Sequence, residues 1–325
     1  MNTLKIWLTA GIIMLSGFSF AEDKDDSGRH LCIIKEDAKS LIVLDADGKK
    51  VKLTKNPRRV VIGFTSLVNL WYYAGGKAVG IPNSRSRENI QAEAVKAARI
   101  GTFSNLNMEK IISLNPDLAI LYANVNNQRA ARDILASNNT ETILLSYRNY
   151  SDFTRILDLF VRLNSENPEK GKAASLMVKK IDAIIEKTGK LKKPGFLSFL
   201  FSGSGLSAET NLANTAHMAM LLGGRNIVTG KNVPKGSGRV SFSMEKVMME
   251  DPDIILVTTM GNGKKLAAKM KKNLANDPVW ASLSAVKAGR VYFLPNELFL
   301  YRANEKYAEA FLTLAKLMYP EEKWD

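Results

Sequence analysis

The side chains that most often bind metal ions are scarce in this sequence. It contains two histidines, His30 and His217, and one cysteine, Cys32, among 325 residues. Capture of a bare zinc or manganese ion usually requires several histidines and carboxylates that converge, and two scattered histidines do not supply them. His217 lies in a predicted helix, where it is either an ordinary helix imidazole or an axial ligand of haem iron. A single cysteine cannot form an internal disulfide bond.

Two other segments look like catalytic motifs but lack the residues that the chemistry requires. Ser202-Gly-Ser-Gly205 is glycine-rich, yet it lacks the lysine of a phosphate-binding loop and is not part of a Gly-x-Ser-x-Gly motif. Asp251-Pro-Asp253 brings two carboxylates together, but this pattern is typical of a turn. The sequence therefore predicts that the protein is not an enzyme, and no catalytic residue is assigned.

One pattern of fifteen residues occurs twice and defines the architecture. The first copy starts with Asn107-Met-Glu-Lys and continues through Asn115-Pro-Asp117 into an apolar run. The second copy starts with Ser243-Met-Glu-Lys, 243 − 107 = 136 residues later, and continues through Asp251-Pro-Asp253 into a similar run. Each copy predicts a capped helix, a turn at the proline and a strand that is covered on both faces. Because the spacing is too long for a solenoid, the pattern predicts two related α/β lobes with a cleft between them.

Strands that alternate with helices in the amino-terminal half predict a parallel sheet, with the functional loops beyond the carboxyl ends of the strands. A long helix opens at Asn167-Pro168, where proline is tolerated, and resists bending, so a stiff clamp with small closure is expected. The predicted segments are a signal peptide (1–21), a leader and β-hairpin (22–57), an amino-terminal α/β lobe (58–165), a bridging helix (166–190) and a carboxyl-terminal α/β lobe (191–325).

Three smaller segments also have specific predictions. Glu22 to about Lys39 shows no periodicity, so a loose leader is expected before a hairpin that turns at Asp45-Ala-Asp-Gly48. Ser202 to Ala208 is predicted to be a Gly/Ser loop, and Gly263 to about Leu274 a helix.

The first 21 residues have the pattern of a cleaved secretion signal, with Lys5, an apolar stretch and a small-x-small site at Ser19-Phe-Ala21. Cys32 lies well beyond the apolar stretch, so no lipid anchor is assigned and the mature protein is expected in the periplasm. The net charge is +14, and removal of Lys5 leaves 14 − 1 = +13. The basic residues are spread over helices and turns without an arginine-rich arm. Nucleic acid is therefore not an expected partner, and attraction of an anionic ligand remains open.

Six segments follow one another in a characteristic order between about Ser40 and Pro320. They are Asn56-Pro-Arg-Arg-Val-Val-Ile62, Val79-Gly-Ile81, Asn107-Met-Glu-Lys-Ile-Ile-Ser-Leu-Asn-Pro-Asp117, Leu221-Leu-Gly-Gly-Arg-Asn-Ile227, Asp277-Pro-Val-Trp280 and Ala285-Val-Lys-Ala-Gly-Arg-Val-Tyr292. In this order the chain resembles the substrate-binding proteins of ABC importers for iron–siderophores, haem and cobalamin. The resemblance implies two Rossmann-like lobes bridged by a single long α-helix, which agrees with the architecture inferred from the repeat.

The resemblance also implies roles for individual residues. One glutamate in each lobe docks on the permease in that family, and the matching residues are Glu109 and Glu245, although the helix dipole alone also favours a glutamate there. Aromatic rings and arginines at the cleft suit a planar, anionic metal chelate, and tyrosines could also ligate haem iron. The ligand-binding residues implied are Arg85, Arg87, Phe103, Tyr122, Tyr147, Arg148, Tyr301 and Arg302, with His217 as a candidate haem ligand.

The predicted function is capture of a metal chelate, with a ferric siderophore as the first choice, and its delivery to an ABC permease in the inner membrane. The iron chelate or haem is the ligand, and no separate cofactor is assigned. A monomer is expected. Haem and cobalamin are the alternatives within this class, while an exported enzyme or a basic adhesin are the alternatives from other classes.

Overall fold

The computed structural model describes residues 31–83, 90–229, 233–260 and 277–324, together with Ala268 and Lys272. The predicted signal peptide lies outside these residues, and so does the predicted helix from Gly263 to Leu274, apart from the helical Ala268 and Lys272.

The described chain begins with a small antiparallel sheet of three strands. These are β1 (Cys32–Glu36), β2 (Ser40–Leu44) and β3 (Lys50–Thr54). The predicted hairpin is confirmed as β2 and β3, with Gly48 at the turn in the left-handed region (φ 75°). The prediction of a loose leader is wrong for β1, because this segment pairs with β2.

A five-stranded sheet forms the amino-terminal lobe, and all of its strand pairs are parallel. Its strands are ordered β10-β9-β4-β5-β6, whereas β7 and β8 form a separate ribbon. In chain order the elements are β4 (Val60–Ile62), α1 (Thr65–Tyr73), β5 (Gly80–Ile81), β6 (Ala98–Arg99), β7 (Gly101–Thr102), β8 (Asn105–Leu106), α2 (Met108–Ser113), β9 (Leu118–Tyr122), α3 (Asn126–Ser137), β10 (Glu141–Leu145) and α4 (Tyr150–Leu163).

A single long helix, α5 (Pro168–Gly189), connects the two lobes. Pro168 stands at its first position, where the missing backbone N–H would have no helical partner in any case. Buried residues at spacings of three and four, among them Ala174, Met177 and Ile181, form the apolar stripe that packs into the core. The helix predicted between the lobes is confirmed.

The carboxyl-terminal lobe contains a six-stranded mixed sheet. Its order is β14-β12-β11-β15-β16, with β13 also paired to β11, and β12 runs antiparallel to both of its neighbours. The elements are β11 (Gly195–Ser202), β12 (Gly205–Glu209), α6 (Asn214–Leu221), β13 (Arg225–Asn226), β14 (Arg239–Val240), α7 (Met244–Glu250), β15 (Ile254–Thr259), α8 (Pro278–Ser282), α9 (Ser284–Lys287), β16 (Val291–Phe293), α10 (Asn296–Phe299) and α11 (Tyr307–Met318).

The prediction of a Gly/Ser loop from Ser202 to Ala208 is wrong. This segment is a tight hairpin in which Ser202 pairs with Gly205, and β12 starts at once. Gly205 lies in the left-handed region (φ 110°), which glycine adopts without steric cost. The predicted parallel sheet is confirmed in the first lobe. The second sheet is mixed, and β15 within it is parallel to both of its neighbours.

One apolar cluster includes residues of both lobes. Ile62 of β4 and Ile254 of β15 belong to it, whereas their chain neighbours Val61 and Ile255 belong to separate clusters on the other faces of the sheets. Both sheets are therefore covered on two sides, as expected of α/β lobes, and the lobes share one core. Within the described ranges, none of the helices has the length and apolar character that crossing a membrane requires.

The two copies of the repeated pattern have the same local structure, one in each lobe. In both copies the predicted cap is confirmed, because the Asn107 side chain accepts a hydrogen bond from the Lys110 N–H at 2.8 Å and Ser243 accepts one from the Lys246 N–H at 3.4 Å. The helices α2 and α7 then lead through the proline turns into β9 and β15.

The last aspartate of each proline turn binds the backbone where the neighbouring strand begins. The Asp117 carboxylate accepts hydrogen bonds from the N–H groups of Arg58 (2.6 Å) and Arg59 (3.0 Å). The Asp253 carboxylate accepts one from the N–H of Gly195 at 2.6 Å. These carboxylates are therefore structural, in agreement with the prediction of a turn.

Removal of either carboxylate should destabilise the protein. Asp117→Ala and Asp253→Ala each lose hydrogen bonds to an ionised acceptor, so the free energy of unfolding should fall by about 2 kcal/mol. Asp133→Ala is the control, because Asp133 is exposed on α3 and a surface change usually stays within about 0.5 kcal/mol. Urea denaturation of the three variants measures the difference. Equal stability of all three would contradict a structural role for these carboxylates.

Candidate ligand-binding cleft

A cavity of about 580 Å³ lies between the two lobes. Small-molecule sites typically have volumes of roughly 300–1,000 Å³, so its size suits a chelate. It lies beyond the carboxyl end of β4, where ligand sites of α/β sheets are expected. The residues that line it are Phe64, Thr65, Ser66, Asn69, Ile90, Gln91, Glu297, Tyr301, Arg302, Ala303, Asn304, Glu305 and Lys306.

Three aromatic side chains form a wall on the side of the amino-terminal lobe. Phe64 stacks on Tyr122 with ring centroids 4.2 Å apart and planes 7° from parallel. Phe103 meets Phe64 edge to face at 6.3 Å, and 49% of Phe103 is exposed. We call Phe64, Phe103 and Tyr122 the aromatic wall. A wall with exposed ring surface can stack on a flat ligand.

The buried amide of Gln128 holds the backbone behind this wall. Its Oε1 accepts a hydrogen bond from the Tyr122 N–H at 2.8 Å, and its Nε2 donates to the carbonyls of Gly63 (2.9 Å) and Phe103 (2.6 Å). A Cβ atom on Gly63 would lie 2.2 Å from Oε1, so glycine is required for this approach. Gln128 itself is fully buried. One side chain therefore fixes the strand ends that carry all three rings.

Arg302 and Tyr301 line the same cavity as Phe64 and belong to the carboxyl-terminal lobe. Tyr301 is 51% exposed. The Arg302 Nε donates to the Tyr147 carbonyl at 3.0 Å, and the guanidinium carbon lies 5.6 Å from the centre of the Tyr147 ring. Within the described part of the chain the Nη atoms of Arg302 have no hydrogen-bond partner. This end of the guanidinium is available to an anionic group.

Two of the predicted ligand-binding residues are engaged within the protein. Tyr147 is fully buried, and its hydroxyl donates to Oδ1 of Asn304 at 2.7 Å, so the prediction that its side chain contacts ligand is corrected. Burial also raises the pKa of Tyr147 well above its ordinary value. The Arg148 Nε donates to the Asp152 carboxylate at 3.1 Å, which ties Arg148 to the first turn of α4.

The structure does not support the prediction of His217 as a haem ligand. The residue is 1% exposed, its Nδ1 lies 3.1 Å from the Asn211 carbonyl, and its Nε2 lies 3.0 Å from Oγ of Ser151. A carbonyl only accepts, so Nδ1 carries the proton and donates to Asn211, while Nε2 shares a hydrogen bond with the Ser151 hydroxyl. Both ring nitrogens are therefore engaged, and the second bond joins the two lobes.

The remaining predicted residues converge on the cleft to different degrees. Tyr301 and Arg302 line the cavity, and Phe103 and Tyr122 contact its lining residue Phe64. Arg85 and Arg87 lie outside the described residues. Burial raises the pKa of Tyr122, and nearby Arg302 opposes that rise. Among the residues whose placement is described, no three or more His, Cys, Asp or Glu side chains are grouped so as to hold a metal ion.

Sequence reasoning missed three residues that shape the cleft: Phe64, Gln128 and Asn304. Phe64 lies directly beyond the end of β4, and the rule that ligand sites lie beyond the carboxyl ends of parallel strands could have found it. No sequence signal marks the other two, because they act through contacts with distant segments.

The two predicted docking residues lie on the surface, one on each lobe. Glu109 occupies the first turn of α2 and Glu245 the first turn of α7, and both are exposed. Carboxylates at a helix amino terminus are favoured by the dipole. Their exposure also leaves them accessible to a partner protein.

The chain is similar to one protein family and to two proteins of Bacillus subtilis. The family model described as periplasmic binding protein matches residues 60–298. An uncharacterized ABC transporter substrate-binding lipoprotein of Bacillus subtilis, YvrC, is 25% identical, and the match covers 97% of both chains. The Fe(3+)-citrate-binding protein YfmC of the same organism is 25% identical, and this match covers 88% of the present chain and 86% of YfmC.

Solved structures share the fold. An ABC transporter substrate-binding protein from Listeria monocytogenes superimposes with a TM-score of 0.66 at 22% identity, over 82% of this chain and all of that one. The Staphylococcus aureus protein IsdE in complex with heme superimposes with a TM-score of 0.63 at 20% identity, over 80% of this chain and 98% of that one. At these identities the similarity establishes the two-lobed fold alone.

Loss of the Gln128 amide should weaken the whole protein as well as the cleft. Gln128→Ala leaves one N–H and two carbonyls without their hydrogen-bond partner. Because each unpaired buried group costs about 1–3 kcal/mol, the free energy of unfolding should fall by about 3 kcal/mol. Asn127→Ala is the control, since Asn127 lies next to it on α3 but makes one exposed hydrogen bond to Ser104. Thermal and urea denaturation compare the two variants. An equally small loss for both would contradict the role of the buried amide.

Proposed function

This chain belongs to the periplasmic binding protein family, and we propose from this that it binds a ferric siderophore or a similar anionic ferric chelate. Members of this class supply solutes to ABC importers, and the chain is a substrate-binding protein of that kind. The observation that carries the ligand proposal is a cleft whose lining includes both Phe64 of the aromatic wall and the guanidinium-bearing Arg302.

The chemistry of the two walls suits a flat anion. Aromatic faces stack on planar ligand groups, and arginine forms charge-assisted hydrogen bonds with carboxylate or catecholate oxygens. The described lining also carries Glu297, Glu305 and Lys306, so its formal charge is balanced, with Arg302 and Lys306 as its cations. The net charge of +14 favours the approach of anions over longer distances.

Three of the four side chains predicted as possible axial ligands of haem iron are poorly placed for that role, while the fourth, Tyr301, is exposed on the cavity lining. Haem iron requires an axial ligand, and both ring nitrogens of His217 are already hydrogen-bonded. Tyr147 is buried against Asn304. Tyr122 would have to bind as a phenolate, while burial raises its pKa. A relative named for ferric citrate, a small anionic chelate, also favours the chelate proposal.

We propose that Glu109 and Glu245 dock the loaded protein on the permease. The repeated pattern places one exposed glutamate at the same position of the same helix in each lobe. Two such carboxylates at matched sites suit a permease with paired basic sites, because complementary charge orients the partners.

The mode of export, the oligomeric state and the absence of catalysis belong to the same proposal. We propose that the signal peptide is cleaved and that the mature protein is a monomer in the periplasm. We also propose that it carries its ligand without catalysing a reaction. The name of YvrC includes the word lipoprotein, which differs from the prediction that this chain has no lipid anchor. Mass spectrometry of the mature protein from its host would distinguish a cleaved chain from a lipid-modified one.

Substitutions in the cleft should weaken chelate binding selectively. Phe103→Ala removes a stacking surface worth about 0.5–1.5 kcal/mol, so affinity should fall about 2- to 10-fold. Arg302→Gln removes a charged donor worth about 1.5–3 kcal/mol, so affinity should fall about 10- to 100-fold. Isothermal titration with ferric citrate and with a ferric catecholate complex measures both changes.

The control for these titrations is Ile134→Ala, because Ile134 is similarly exposed (47%) but lies near the far end of α3. Haemin and cyanocobalamin serve as competing probes with the wild-type protein. Tighter binding of either than of both ferric chelates would overturn the ligand proposal and leave the family membership intact.

Charge reversal at the docking residues should separate transport from binding. The double variant Glu109→Lys, Glu245→Lys should bind ferric citrate as the wild type does and fail to support iron uptake through the permease, since like charges would face each other. Glu169→Lys is the control, because Glu169 also lies exposed in the first turn of a helix, α5. Uptake at the wild-type rate by the double variant would exclude the docking role.

A further inference from the structure

The short loop Tyr301–Asn304 belongs to the carboxyl-terminal lobe but is bound by the amino-terminal lobe. Arg302 donates to the carbonyl of Tyr147, and Asn304 accepts from the hydroxyl of Tyr147 at 2.7 Å. The Asn304 Nδ2 also donates to the carbonyl of Ser66 at 3.3 Å. Three polar contacts therefore cross between the lobes at one loop, which also lines the cleft.

Tyr147 makes two of these contacts and a third of a different kind. Its carbonyl binds the Arg302 Nε, its hydroxyl binds Asn304, and its ring lies 5.6 Å below the guanidinium carbon of Arg302. The ring has no exposed surface, so it cannot move aside without breaking the core. Since burial raises its pKa, the phenol stays protonated and keeps donating. Backbone, ring and hydroxyl of one residue thus orient two residues of the loop.

Asn304 receives these bonds in an unusual conformation. Its backbone is left-handed (φ 49°) and the residue is 2% exposed. Asparagine adopts this region more readily than most residues. The carbonyl of Ser66 only accepts, so Nδ2 must face it and Oδ1 must face Tyr147. Both ends of the amide are therefore fixed by the opposite lobe.

We propose that Tyr147 and Asn304 are positioning residues for ligand recognition, which hold the Arg302 guanidinium in the geometry that receives the anionic part of the chelate. This inference rests on the proposed function. It also gives Tyr147 a role different from the direct contact that the sequence predicted. Their effect on affinity is transmitted through Arg302, so it should disappear when Arg302 is removed.

Two substitutions with matched controls test the proposal. Tyr147→Phe deletes the hydroxyl that binds Asn304, and Tyr319→Phe deletes a buried hydroxyl that binds the Leu222 carbonyl at 2.6 Å within the carboxyl-terminal lobe. Asn304→Gly removes the same contact from the other side without backbone strain. Asn139→Gly is its control, because Asn139 is exposed and also left-handed (φ 57°).

The first readout does not need a ligand. Hydrogen exchange of the segment 296–306 in the unliganded protein should accelerate in Tyr147→Phe and Asn304→Gly and stay unchanged in the two controls, as local opening becomes easier. Equal exchange in all five proteins, wild type included, would overturn the proposal whatever the ligand is. If Tyr147→Phe does not fold, Asn304→Gly carries both measurements.

The second readout is the affinity for ferric citrate by calorimetry. Tyr147→Phe and Asn304→Gly should bind about 2- to 10-fold more weakly, the factor expected when one long side chain has to be ordered on binding. In the Arg302→Gln background the same changes should have no further effect. Additive losses, or equal losses in the controls, would overturn the positioning role. If the wild type binds neither ferric citrate nor the ferric catecholate complex, the proposed function fails first, and the exchange result still decides whether the loop is held.

Discussion

The cleft depends on a single buried amide, the side chain of Gln128. Parallel strands at their carboxyl ends, and tight turns such as the one between β7 and β8, leave backbone groups without ladder partners, and such groups are costly when they are buried. An amide offers an acceptor and two donors, which match the Tyr122 N–H and the carbonyls of Gly63 and Phe103. A glutamate of the same length would supply no donor when ionised. Gly63 completes the arrangement, because any side chain there would occupy the position of the amide.

Elements whose signals are local could be predicted from the sequence. The caps at Asn107 and Ser243 and the proline turns after them lie within a few residues of the structure they determine. The strand β1 and the hairpin at Ser202 could not be predicted, because glycine and serine are as common in loops as in hairpin turns and β1 is defined by its pairing with β2. Long-range pairing decided both cases.

The same distinction separates the site residues. Phe103 and Arg302 carry recognisable chemistry, so a family resemblance could place them near the cleft. The roles of Gln128 and Asn304 depend on partners 65 and 157 residues away in the chain. His217 shows the opposite case, in which a recognisable side chain suggests a role that the structure does not support. Imidazoles often bind metals, but the hydrogen bonds of this ring to Asn211 and Ser151 make it a structural residue. Residue type indicates what a side chain can do, and the fold determines which of its atoms remain available.

The cleft is asymmetric although the two lobes share a repeated unit. The amino-terminal lobe supplies a wall fixed by Gln128, and it also binds the loop Tyr301–Asn304 that forms the opposite wall. To move the lobes apart, the protein would have to break the Tyr147–Asn304 and Ser151–His217 bonds and divide an apolar cluster that both lobes share. Because the protein makes these contacts with its own residues on both sides of the cleft, little binding energy has to be spent on ordering it. Selectivity should then depend on the fit of the chelate between two held walls, with little contribution from closure around it.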